Sequence, residues 1–138
     1  MNRKVFVLCL LTFAFSCSNR TAATPEQEAE ALARTEFTER IENFFEYAPL
    51  KAGQPSQFRI HLSDLLDGTP VEGAEVVLSV RAPGSGTPMT STTAQIAKVA
   101  GIYVAELTVP RAGQYDVEFR IKNSKLDERM LLNDFRVE

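Results

Sequence analysis

From residue 37 onward, apolar and polar side chains alternate one by one along the chain. Phe58, Ile60 and Leu62 alternate with Arg59, His61 and Ser63. Val76, Leu78 and Val80 alternate with Val77, Ser79 and Arg81, and Tyr103, Ala105, Leu107 and Val109 with Val104, Glu106 and Thr108. Tyr115, Val117, Phe119 and Ile121 alternate with Asp116, Glu118, Arg120 and Lys122. Near the end, Leu131, Phe135 and Val137 share a parity. A period of two is that of a strand with one face in a core and one in water. The pattern places Phe58, Leu78, Leu107, Val117 and Phe119 inside, and Arg59, Glu106 and Glu118 in solvent. Residues 39–47 (ERIENFFEY) supply an earlier strand and residues 89–99 a more polar one. Turn signals at Gly53-Gln54-Pro55, Asp67-Gly68, Pro83-Gly84, Ala100-Gly101 and Ala112-Gly113 separate the runs. About seven strands in about 100 residues is the density of a β-sandwich.

Within that all-β class the expected fold is an immunoglobulin-like β-sandwich. Gly113-Gln114-Tyr115 opens a strand just after Pro110-Arg111-Ala112, where such sandwiches keep a tyrosine that bonds back to upstream backbone. The core tryptophan and inter-sheet disulfide of antibody domains are missing: the chain has no Trp, and its two cysteines are Cys9 and Cys17.

The start of the chain follows a different pattern. Arg3 and Lys4 precede an apolar run from Val5 to Phe15. Eleven helical residues span only about 16 Å, roughly half a bilayer core, so the run reads as a secretory signal and not a membrane span. Ala14-Phe15-Ser16-Cys17 resembles the lipobox of bacterial lipoproteins, with Ala14 in place of the usual Leu. In that family the cysteine receives a diacylglycerol and becomes the mature N-terminus, so Cys17 is the expected lipid attachment site. Plain secretion, with Cys17 an incidental thiol, is the alternative. Ser18 after the cysteine, in place of Asp, favours the outer membrane over the inner. The expected organisation is a signal peptide at 1–16, a lipid-anchored polar tether at 17–36 and the sandwich at 37–138. The tether is polar and carries one bulky apolar residue, Leu32, too little to fix a fold of its own. Residues 26–34 favour a helical turn or two.

Cleavage at Cys17 would leave no other cysteine in the mature chain, hence no disulfide framework and no thiolate zinc site. The formal charge is −3, and the 15 basic side chains fall to 13 against 18 acidic ones once Arg3 and Lys4 are removed. Basic residues are scattered singly, which argues against a nucleic-acid partner.

Several motifs occur in series: Phe44-Phe45-Glu46-Tyr47-Ala48-Pro49-Leu50, Gly53-Gln54-Pro55-Ser56-Gln57-Phe58, His61-Leu62-Ser63, Pro70-Val71-Glu72-Gly73, Gly101-Ile102-Tyr103 and Ala112-Gly113-Gln114-Tyr115. In this order, over residues 38–137, the chain resembles the N-terminal β-domain of periplasmic adaptor (membrane-fusion) subunits of heavy-metal RND efflux pumps, the CzcB/CusB-like group. Ser63 stands where that group has Thr. Related sandwiches of the FixH/YtkA type share the later strands. The resemblance implies an envelope location, facing the periplasm, and a protein partner in an efflux complex. In full adaptors a helical hairpin, a lipoyl-like domain and a β-barrel follow this module. Residues 1–138 hold no heptad pattern of that length, so the expectation is a stand-alone module, a truncated adaptor or a divergent relative with another partner, and not a bridge.

His61 is the only histidine, and its parity puts it on the wet face beside Arg59 and Ser63. A tight metal site needs three or four converging ligands. Met89 and Met130 could add soft ligands for Cu(I), although methionine is commonly core filler. Asp64 and Asp67 fit a strand end and an Asp-Gly turn. His61 is thus the sole candidate for a metal role and no cofactor is expected. Catalysis is not expected either: no nucleophile elbow, phosphate loop or paired-carboxylate constellation accompanies His61. Three readings stay open: an envelope-anchored accessory module of a metal or cation efflux system, a periplasmic metal or small-ligand carrier, and a structural immunoglobulin-like envelope protein.

Overall fold

The computed structural model describes residues 30–138; the signal region, Cys17 and most of the polar stretch after it lie outside them. Nine strands form: β1 (Leu32–Phe37), β2 (Ile41–Tyr47), β3 (Pro55–Asp64), β4 (Glu75–Arg81), β5 (Thr90–Thr93), β6 (Gln95–Ile96), β7 (Ile102–Thr108), β8 (Gly113–Lys122) and β9 (Asp127–Val137). They build two antiparallel sheets, ordered β1-β2-β3-β7-β6 and β5-β4-β8-β9. With β2 as the first immunoglobulin strand, these orders are A-B-E-D and C′-C-F-G, the pairing of an immunoglobulin-like sandwich. Leu50 forms a parallel bridge to Val137. Beyond Pro49 the first strand therefore leaves its own sheet and closes onto the last strand of the other.

The alternation read from the sequence fills the space between the sheets. Phe58, Leu78, Leu107, Val117 and Phe119 are all buried, and Arg59 and Glu106 are exposed. Phe45 and Phe58 from one sheet meet Phe119 and Phe135 from the other; the Phe45 and Phe119 ring centres are 4.9 Å apart. Phe58 and Phe119 lie on β3 and β8, the two strands that the antibody disulfide joins. Burying four such rings supplies much of the packing on which the core depends. The expected tyrosine corner is present: the Tyr115 hydroxyl donates to the Arg111 carbonyl at 3.0 Å.

Four expectations need correction. First, β1 lies within the segment assigned to the tether and to a helical turn. It pairs along its whole length with β2, from Leu32 opposite Tyr47 to Phe37 opposite Glu42. None of its side chains is buried, so it carries no apolar alternation. It is held by its ladder and by Arg34, which reaches Asp134 at 3.0 Å and lies 5.1 Å above the Phe135 ring. Second, the polar run at 89–99 is two short strands on different sheets. β5 pairs with β4 and β6 with β7, and the chain crosses at buried Ala94, whose N–H donates to Val76. Third, Leu131 does not share the inward parity of Phe135 and Val137. Met130 and Leu132 are buried and Leu131 is half exposed. The register jumps from Tyr115 opposite Phe135 to Val117 opposite Leu132, and Asp134 takes a φ of 83°. This β-bulge adds a residue to β9 and reverses its facing. Fourth, Glu118 is not in open solvent: it pairs with Arg81 at 3.1 Å and its side chain is only 17% exposed.

Candidate functional site at the loop end of the sandwich

Strand directions place four connections at one end: residues 38–40 between β1 and β2, 65–74 between β3 and β4, 97–101 between β6 and β7, and 123–126 between β8 and β9. The first described residues and the end of β9 lie at the opposite end. In immunoglobulin terms these are the B–C, D–E and F–G loops with one addition, and the B–C and F–G loops belong to the end antibody variable domains use for recognition.

An open cleft of about 740 Å³ lies among them, lined by Arg40, Asp64, Asp67, Glu72, Asn123 and Lys125 with neighbouring backbone. Its walls are tied together. The Arg40 guanidinium forms a two-pronged pair with Asp64, both bonds at 3.0 Å, and the Arg40 carbonyl accepts from the Leu65 N–H at 2.8 Å. Asn123 donates its side-chain amide to the Glu72 carbonyl at 3.1 Å, and its side-chain oxygen accepts from the Lys125 and Leu126 N–H groups. The floor is fixed by Tyr103, whose buried hydroxyl donates to the Val71 carbonyl at 2.8 Å and accepts from the Ala74 N–H at 3.0 Å. Gly101 closes the arrangement. Its φ is 74°, its carbonyl accepts from the Leu62 N–H, and a Cβ there would stand 2.7 Å from the Pro70 Cβ.

The two aspartates of the cleft are already engaged by neighbouring donors. Asp64 is held below the usual carboxylate range first by the Arg40 hydrogen bonds and then by the Leu66 N–H. Asp67 is lowered by the Thr69 hydroxyl, at 2.7 Å, and then by the Thr69 N–H. Both therefore end the strand and shape the Asp-Gly turn, as their spacing implied. The same end carries an apolar rim that does not line the cleft. Five of the eight large apolar side chains exposed among the described residues are at this end: Phe37, Leu65, Leu66, Ile96 and Val99, with Leu66 at 73% exposure.

His61 is not part of this surface. It lies on the outer face of the first sheet, between Phe44 on β2 and Ile102 on β7, with the Phe44 ring centre at 5.3 Å. Its Nε2 is buried without a hydrogen-bond partner. Asp64 and Asp67 turn into the cleft instead, so the His61–Asp64–Asp67 spacing does not converge. Met130 faces the core, where its sulfur accepts from the Asn43 amide at 3.8 Å, and Met89 is in the β4–β5 connection at the other end. Among the described residues no group of three or more His, Cys, Asp or Glu side chains is placed to hold a metal ion. The apolar rim was missed from sequence because Leu65, Leu66 and Val99 sit in connections, where no period marks them. Adjacent leucines immediately before an Asp-Gly turn were the available signal.

Two sheets in C′-C-F-G and A-B-E-D order and a tyrosine corner define an immunoglobulin-like sandwich. A family profile described as YtkA-like matches residues 39–120, more than half of the chain, and the chain belongs to that family. The matched part runs from the approach to β2 into β8 and includes the whole 65–74 connection and the Tyr103 floor. Neither curated proteins nor solved structures gave a match.

Proposed function

We propose that the protein is a lipid-anchored bacterial envelope module that works without catalysis, as an accessory or binding subunit of a heavy-metal or cation efflux system. In this reading Cys17 carries the lipid, the sandwich faces the periplasm from the outer membrane, and the loop end contacts a protein partner. The observation that carries it is the placement of the apolar rim. Leu65, Leu66 and Val99 are exposed on loops cross-tied by Arg40, Asn123 and Tyr103, at the end opposite the start of β1. A chain tethered through its N-terminus presents that end away from its own membrane. A rigid apolar surface loses little conformational entropy on binding, so even a modest contact is productive for a tethered domain at high local concentration. The pump context comes from the ordered motifs shared with the CzcB/CusB-like adaptors.

The test is mild cross-linking of intact cells, membrane solubilisation and recovery of the protein with its partners. Recovery of an efflux-system component, lost with Leu66→Ser, supports the reading. Submicromolar binding of Zn²⁺, Cu⁺ or Co²⁺ that disappears in His61→Ala, with no partner recovered, would replace it with the carrier reading.

A further inference from the structure

We propose that the outer face of the second sheet carries a separate binding groove for an acidic peptide segment, whose carboxylates seat between Arg120 and Arg129. The groove is about 350 Å³, runs along β4 and is lined by Glu75, Val77, Ser79, Arg81, Glu118, Arg120 and Arg129, with Gly86 and Pro88 of the β4–β5 connection as one lip. Its register makes one cross-strand row of Val77, Arg120 and Arg129. Two guanidinium side chains directly opposite each other repel, since cross-strand Cβ atoms are only about 5 Å apart. Asp127 relieves this in part, through an exposed two-pronged hydrogen bond with Arg120. Arg120 reaches Asp127 only at 3.4 Å, and Asp127 also serves Lys122. Arg129 has no carboxylate within 4 Å among the described residues. Glu118 is taken by Arg81, yet the Arg81 Nε remains buried without an acceptor. That donor adds to the hydrogen-bonding capacity of the groove.

The groove therefore has a cationic surplus, three arginines against Glu75 and Glu118, on a chain whose formal charge is −3. A carboxylate placed between Arg120 and Arg129 converts a repulsive row into two charge-assisted hydrogen bonds. Val77 and Pro88 offer apolar contact for the aliphatic part of a glutamate. A lipid phosphate would offer similar charge, but the basic row is two to three residues from the 123–126 connection, far from the end where β1 begins. Exclusion of the anchoring membrane rests on the proposed Cys17 anchor; the groove itself is independent of the loop-end contact.

The experiment uses the full lipidated chain in detergent and a fluorescent peptide, Glu-Leu-Glu-Glu-Leu-Glu, with its all-glutamine counterpart as control. The glutamate peptide should bind, weaken with salt as a partly exposed charge contact does, and bind at least about tenfold more weakly to Arg120→Gln/Arg129→Gln, the loss of roughly one charge-assisted bond. That double variant should keep or raise the melting temperature, which separates lost binding from lost folding. Leu66→Ser at the loop end should bind the peptide normally. Equal binding by the double variant, equal binding of the glutamine peptide, loss of binding in Leu66→Ser, or arginine-dependent capture by anionic vesicles in place of the peptide would each overturn the proposal.

Discussion

Replacing Tyr103 by Phe tests whether the loop end is held from beneath. The ring is 1% exposed and its hydroxyl joins two loop groups, the Val71 carbonyl and the Ala74 N–H, both in buried residues. Phe keeps the ring and its packing and removes only those two bonds. Each buried neutral group left without a partner costs about 1–2 kcal/mol, the lower part of the range for unsatisfied groups, so the pair should cost about 2–4 kcal/mol. The gain from burying a less polar ring is small, because the hydroxyl was already satisfied in place. A domain of this size holds only about 5–15 kcal/mol in total, and each kilocalorie is worth roughly 4–6 °C of melting temperature. Tyr103→Phe should therefore melt about 10–20 °C lower, with an unchanged denaturant slope because the same surface is exposed on unfolding. Hydrogen exchange should quicken first at residues 71–74 while β3, β4 and β8 stay protected. A loss below about 0.5 kcal/mol, the range of ordinary surface substitutions, would refute the reasoning, as would uniform loss of protection across both sheets.

Gly101→Ala should destabilise by more than about 1 kcal/mol in chemical denaturation, since its backbone is left-handed and the new methyl group would meet Pro70 and the Leu62 carbonyl. Phe119→Ala should cost about 3–5 kcal/mol and leave the domain marginal in a urea melt, because the ring is fully buried against Phe45 and Phe58. Asp64 and Asp67 are both held below the usual carboxylate range. A lowered folded-state pKa contributes stability that is present above the unfolded value, near pH 4, and is lost as pH falls through the folded value. Melting temperature should therefore fall below about pH 4, and Asp64→Asn should flatten that fall. Cys17→Ser should move the protein from the membrane fraction to the soluble envelope fraction, and palmitate incorporation that survives the substitution would remove the lipid anchor.

The sandwich was legible because its strands are half buried, and half burial writes a period of two into the sequence. Phe58, Leu78, Leu107 and Phe119 fell where the parity put them. The tyrosine corner was legible for a related reason, since Tyr115 combines an inward ring with a hydroxyl in reach of the turn before it. β1 was not legible: Leu32, Arg34 and Glu36 share the inward parity, and an arginine stacked on Phe135 looks in sequence like solvent-facing charge. The reversal in β9 was hidden because one bulged residue, Asp134, shifts parity without any Gly or Pro to mark it. The split at Ala94 was hidden because both halves are short edge strands with little to bury. At the loop end, the Asp-Gly turn was readable from composition. The Arg40–Asp64 pair, the Asn123–Glu72 tie and the Tyr103 floor join residues 24, 51, and 29 to 32 positions apart, and no local pattern encodes them.

Site-specific photo-crosslinking in living cells tests the central claim most directly, that the loop end contacts a protein partner. A photoreactive residue at Leu66 or Val99 should give a discrete heavier adduct containing an efflux-system component. The same residue at Glu106, exposed on the outer face of the first sheet, should not. Adducts absent from Leu66 and Val99, or formed equally from Glu106, would contradict the account.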